Sequence, residues 1–139
     1  MTLTRTSRTF LPPVMESRRW IAGKTFPATR PLINVSQAAP LDPPPDALRQ
    51  HIAETALNVA EAHLYGPVLG LPELRAEVAQ RWQTAYGGTI TADQVGITSG
   101  CNQAFAASIS ALTQEGDEVI LPTPWYFNHK MWLDMQSVN

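Results

Sequence analysis

The 139-residue chain has a single cysteine, only two lysines, and no apolar run near the roughly 18 residues that a membrane span needs. Cys101 alone can form neither an internal disulfide nor a cysteine-based zinc cluster, so a reducing, cytoplasmic setting is the expectation. No stretch interleaves basic and aromatic residues densely enough to argue for nucleic acid. Internal repeats, low-complexity tracts and the glycine fingerprint of dinucleotide-binding folds are also missing. These absences predict no membrane, nucleic-acid or metal partner.

What is present suits one modest globular domain, with 44% hydrophobic and 16% charged residues. The net charge of −2 conceals an asymmetry. Residues 1–30 carry Arg5, Arg8, Arg18, Arg19, Lys24 and Arg30 against Glu16 alone, whereas the remainder is strongly acidic. The basic, Ser/Thr-containing start has the composition of a targeting segment, but Pro12-Pro13 interrupts an amphipathic helix there. With Pro27 as well, residues 1–30 are expected to form an extended arm, solvated or reaching another subunit.

Periodicity organises the rest. Leu32–Val35 predicts a short strand, followed by a Pro-rich connection from Pro40 to Pro45. Leu48, Ile52, Ala56 and Ala60 predict a helix opening at Asp46. Pro72 suits the first turn of the next helix, and Gly87-Gly88 ends it. Leu71, Leu74, Val78, Trp82 and Ala85 are its expected apolar stripe. Strands are expected at Val95–Thr98 and Glu118–Leu121, joined by a helix from about Asn102 to Leu112 that buries Phe105, Ile109 and Leu112. A strand–helix–strand unit pairs its strands in parallel, so the expected class is α/β.

Two segments of this unit carry chemistry. Thr98-Ser99-Gly100-Cys101-Asn102 is a strand-to-helix turn, where backbone N–H groups and the helix dipole can hold a phosphate. Its bland alternative is an N-cap in which Ser99 or Asn102 satisfies an orphan N–H. Leu121-Pro122-Thr123-Pro124-Trp125-Tyr126-Phe127-Asn128-His129 is an aromatic wall at the second strand's carboxyl end, the edge where parallel sheets bind ligands. Tyr126 can lie against a planar heterocycle, with Asn128 and His129 offering polar contacts. The alternative is core packing for two of the three aromatics. Cys101 at a helix start could be a nucleophile, but no histidine lies near it in sequence.

Taken in order, Tyr65-Gly66-Pro67-Val68-Leu69-Gly70-Leu71-Pro72-Glu73-Leu74-Arg75, Thr98-Ser99-Gly100-Cys101-Asn102-Gln103-Ala104, Gly116-Asp117-Glu118-Val119 and Pro122-Thr123-Pro124-Trp125-Tyr126 resemble the class I/II aminotransferases. These are fold-type I enzymes dependent on pyridoxal 5′-phosphate (PLP). The resemblance runs from about Pro31 to the end. It implies an N-terminal arm over 1–30, and over 31–139 the N-terminal part of an incomplete three-layer α/β/α PLP-binding large domain. It further implies that Ser99, Gly100, Cys101 and Asn102 hold the cofactor phosphate, the last three mainly through backbone N–H groups. Tyr126 would stack on the pyridine, and Tyr65 would reach the phosphate of the neighbouring subunit in a homodimer. Ala38, in Asn34-Val35-Ser36-Gln37-Ala38, stands where the family commonly has a glycine near the substrate carboxylate.

The implied reaction moves an amino group from an amino acid to a 2-oxo acid. It requires a Schiff-base lysine, an acidic partner for the pyridine nitrogen and usually an arginine for the substrate carboxylate. Lys24 and Lys130 match neither the position nor the context of the family's lysine, and its Asn-Pro motif is absent. The chain therefore reads as the cofactor-holding N-terminal portion of a longer enzyme, without a catalytic residue and inactive alone. With few strands and unpartnered edges, it is also expected to fold poorly by itself. A carbon–sulfur lyase on the same scaffold, or a non-catalytic remnant serving as a dimerisation module, are the other readings.

Overall fold

Five helices carry the architecture in the computed structural model, which describes residues 4–37 and 39–139. They are α1 (Pro13–Ile21), α2 (Asp46–Asn58), α3 (Pro72–Tyr86), α4 (Cys101–Leu112) and α5 (Phe127–Gln136), with 3₁₀ turns at Arg5–Arg8, Ala60–His63 and Ala92–Gln94. None among the described residues is long and apolar enough to cross a membrane. The chain divides into two compact units, one of Met1–Ala39 with Gly100–Asn139 and one of Pro40–Ser99.

The helix boundaries follow local rules. Pro72 occupies the first turn of α3, and Gly87 ends that helix in the left-handed region at φ 69°, its N–H bonded to Gln83 O at 2.8 Å. The arm departs from expectation for the same reason. Pro13 opens α1 rather than breaking it, because a first-turn residue needs no intrahelical N–H bond. Within α1, Trp20 Nε1 donates to Glu16 Oε1 at 3.0 Å, one turn away.

Strands are where expectation and structure part. Among the described residues, Leu32–Val35, Val95–Thr98 and Glu118–Leu121 form no strand. An extended segment becomes a strand only when a neighbour pairs with it along several residues, and here the pairing is fragmentary. In the first unit, Asn139 N–H donates to Asp117 O and Val119 N–H to Asn139 O, both at 2.8 Å. That exchange, straddling Glu118, has the pattern of a parallel pair. In the second unit, Ile97 N–H donates to Leu69 O at 2.9 Å.

The first unit packs α4 against α5. Ile109, Leu133 and Val138 are its buried core, with Phe105, Val119, Leu121 and Trp132 against them. Leu133, 1% exposed, is the most deeply buried of these. Leu112, expected inside, is 80% exposed at the end of α4. The arm's first turn lies along the end of α5: Arg5 Nη1 donates to Gln136 Oε1 at 3.2 Å, Thr9 Oγ1 to Asp134 Oδ2 at 3.1 Å, and Arg8 to Ser137 Oγ.

In the second unit, α3 buries Ala79 rather than its larger apolar residues, and Leu71, Leu74 and Trp82 stay exposed. Trp82 instead leans on Tyr86, ring centroids 4.5 Å apart. Arg75 ties α3 to the following loop. Its guanidinium donates to Ala92 O (2.7 and 3.1 Å) and Val95 O (2.8 Å). Gly70, at φ 97°, must be glycine twice over, since a Cβ there would meet Ile97 Cγ1 at 2.6 Å.

Candidate functional site

The phosphate turn is built from backbone. Gly100 caps α4 at φ 88°, ψ 168°, a conformation essentially closed to residues with a side chain. The N-cap residue is thus a glycine, which has no side chain of its own to cap the helix. The first intrahelical bond reaches Gly100 O from Ala104 N–H at 3.3 Å. The N–H groups of Cys101 and Asn102 lie in the first turn, where a helix has no acceptors of its own to offer them. A Cβ on Gly100 would meet nothing within 4 Å, so the glycine borders open space in which an anion has room. Cys101 is exposed and forms no disulfide.

The aromatic wall is built from side chains. Tyr126 precedes α5 at its N-cap and is 48% exposed. Its hydroxyl accepts a hydrogen bond from Asn128 Nδ2 at 2.8 Å. Its ring lies 4.9 Å from Phe127 and 5.4 Å from His129, edge-on to the imidazole at 87°. His129 in turn stacks on Phe105 of α4 at 4.0 Å and 16°. Phe105 follows Cys101 by one helical turn, so a chain of rings ties Tyr126 to the helix that opens at the phosphate turn. Trp125 is 45% exposed and Tyr126 48%, so at least these two rings of the wall are not core.

Beside Tyr126 and Phe127 lies a cavity of about 530 Å³, also lined by Val14 of α1 and by Ser36, Gln37 and Ala39. Ala38, the expected substrate-side position, falls outside the described residues, but its neighbours on both sides border the cavity. Asn34 Oδ1 shapes this segment, accepting from Ser36 N–H at 3.1 Å and Ser36 Oγ at 2.7 Å.

The predicted site residues are thus distributed unevenly. Gly100, Cys101, Asn102 and Tyr126 belong to one unit, with the Ser36–Ala39 segment. Ser99 ends the other unit, joined to Gly100 by the chain, and Tyr65 lies in that second unit, fully exposed beside Ala62, His63 and Leu64. Lys130 lies on α5 with its ammonium bonded to Asp134 Oδ1, one turn along. Sequence reasoning treated Phe105 as core and left Val14 unremarked. The first does pack against the core, and its contact with His129 had no signal in the sequence; nor had the placement of Val14.

The donor set suits a phosphorylated flat ring: backbone N–H groups at a glycine-capped helix start, and a half-exposed tyrosine ring linked to that helix. That is the fit PLP requires.

Comparison with known proteins bears on the whole chain. The family model described as "Aminotransferase class I and II" matches residues 30–138. An aspartate aminotransferase of Streptomyces avermitilis is 37% identical over 99 residues, covering 71% of this chain and 24% of that protein. The aromatic aminotransferase ISS1 of Arabidopsis thaliana is 31% identical over 134 residues, 96% of this chain and 32% of its own. Among solved structures, substrate-bound BacF of Bacillus subtilis superposes with a TM-score of 0.80 at 26% identity, covering 99% of this chain and 35% of that one. An alanine aminotransferase from Pyrococcus furiosus gives a TM-score of 0.64 at 27% identity, over 69% of this chain and 24% of that one. The chain therefore spans about a quarter to a third of the length of the relatives it matches.

Proposed function

Because this chain belongs to the class I and II aminotransferase family, we propose that it is the cofactor-holding part of a PLP-dependent aminotransferase acting on an amino acid and a 2-oxo acid. The observation that carries this reading is the joining of a glycine-capped helix start and an aromatic ring within one unit, through Phe105 and His129.

Each residue then has a task. The N–H groups of Cys101 and Asn102, freed to face outward by Gly100, bind the phosphate, with Ser99 contributing at the turn. Tyr126 lies flat on the ring and excludes water from that face. Asn128 holds the Tyr126 hydroxyl, fixing the plane in which the ring is offered. Ser36, Gln37 and Ala39 border the Tyr126 cavity, and Ala38 is assigned to the substrate side. Tyr65 serves the phosphate of the neighbouring subunit in a cytoplasmic homodimer. When bound, PLP supplies the electron sink through which the amino group is exchanged.

Lys130 is engaged by Asp134, and Lys24 lies on the exposed arm. We assign the cofactor-attaching lysine, the acidic partner of the ring nitrogen and the carboxylate-binding arginine to parts of the enzyme beyond these residues. Alone, the chain holds the cofactor without turning it over. Residues 31–139 are assigned to a three-layer α/β/α large domain, with 1–30 as its arm, a reading that the parallel exchange about Glu118 supports.

Pyridoxine 5′-phosphate tests the site on the chain itself, since it has no aldehyde to react with stray amines. Tyr126→Ala should weaken its binding about tenfold, the worth of one stacked face, and leave inorganic phosphate unchanged. Equal affinities of wild type and variant for both probes would remove Tyr126 from the site.

A further inference from the structure

We propose that His129 is a positioning residue, the spacer that sets the distance and angle between the phosphate turn and the ring of Tyr126. The proposal rests on the cofactor reading above and goes beyond it in assigning a task to a side chain that touches neither end of the ligand.

The geometry is that of a clamp. On one side the imidazole is stacked nearly parallel on Phe105, at 4.0 Å and 16°. On the other its edge meets the Tyr126 ring at 5.4 Å and 87°. These are the two arrangements that ring quadrupoles favour, offset stacking and edge-to-face. Phe105 is fixed on α4, against the Ile109–Leu133–Val138 core, one turn from the residues at the phosphate turn. Tyr126 has no comparable anchor of its own. It precedes α5 and is half-exposed; its hydroxyl accepts from Asn128 and its carbonyl from His129 N–H at 3.0 Å, both within its own segment. Of the ring contacts recorded for Tyr126, that with Phe127 is to its covalent neighbour. His129, one turn into α5, touches the Tyr126 ring and crosses to Phe105 on α4.

A ligand held at two points gains from both only when their separation matches its own. A phosphate held by α4 and a ring held by Tyr126 are such points, and His129 sets the separation. Without the spacer, each end still binds its own fragment, but the two no longer reinforce one another. This separates spacing from general support: losing the spacer should weaken the two-point ligand and spare the one-point ligand.

The test compares wild type, His129→Leu and His129→Phe in the 139-residue chain, with pyridoxine 5′-phosphate and inorganic phosphate as probes, alongside NMR of the Tyr126 ring protons. His129→Leu should weaken pyridoxine 5′-phosphate about fivefold, the size of one aromatic pair, with phosphate affinity held within about twofold. His129→Phe, which keeps a ring in the clamp, should restore affinity to within about twofold of wild type. An unchanged affinity in His129→Leu, an equal loss of both probes, or no rescue by phenylalanine overturns the proposal. Should the leucine variant fail to fold, retention of affinity in His129→Phe supports the spacer and its loss overturns it. A wild-type chain that binds neither probe would instead sink the cofactor reading. The spacer is then decided by the ring protons alone: one fixed Tyr126 orientation that averages in His129→Leu upholds it, and identical spectra refute it.

Discussion

The two ends of the candidate site are made of different material. At the phosphate turn the working groups are backbone N–H groups, displayed because Gly100 adopts a conformation that other residues avoid and because α4 starts immediately after it. At the ring end they are side chains, Tyr126 held by Asn128 and His129. The first end is specified by one glycine and tolerates change at its neighbours' side chains. The second is specified by a set of rings drawn from two helices and tolerates little. A backbone site is legible locally, whereas a side-chain site depends on what folding brings beside it.

The contrast can be broken most completely from beneath. Leu133→Ala removes the most deeply buried side chain under both ends, at a cost of about 2–5 kcal/mol. For a chain with so small a core, this should abolish cooperative thermal unfolding and the binding of both probes together. A variant that still melts cooperatively would mean that the two ends do not share this support. Next, Gly100→Val forces a branched side chain into φ 88°. The strain is about 1–3 kcal/mol, so inorganic phosphate should bind at least about fivefold more weakly while the Tyr126 ring spectrum stays in place. Equal phosphate affinity would show that the turn does not bind through its backbone. The smallest effect sharpens the same distinction. Cys101→Ser changes the side chain and keeps the N–H, so phosphate affinity should stay within about twofold. A larger loss would give the sulfur a part in binding.

Much of the helical frame was legible, because its signals are local. Pro72 and Gly87 bracket α3 by the rules for first-turn proline and left-handed glycine, and the periodicity from Leu48 to Ala56 marks α2. The same proline rule, applied in the wrong direction at Pro12-Pro13, hid α1: Pro13 is a helix start when nothing upstream must continue through it. Burial was read less well. Leu74, Trp82 and Leu112 are apolar at helical spacing and yet exposed, because a stripe shows which face seeks cover and cannot show whether cover is at hand. The strand segments fared similarly. Val95–Thr98 and Glu118–Leu121 have strand composition, but a ladder belongs to two partners and no single segment encodes both.

By itself, the sequence determined the order of the motifs, the glycine that turns the chain into α4, the tyrosine at the start of α5 and the absence of a lysine in the family's context. Each depends on the identity of a residue and its near neighbours. Only the tertiary structure decided that Phe105 would lie under His129, that His129 would meet Tyr126 edge-on, and that Val14 and Gln37 would share a cavity with that ring. Apart from the local step from Tyr126 to His129, those contacts join residues far apart in the chain, and the stacking on Phe105 is set by how α4 and α5 close over Leu133. Local propensity can choose a helix, but the distance between two rings on different helices is fixed by the core between them.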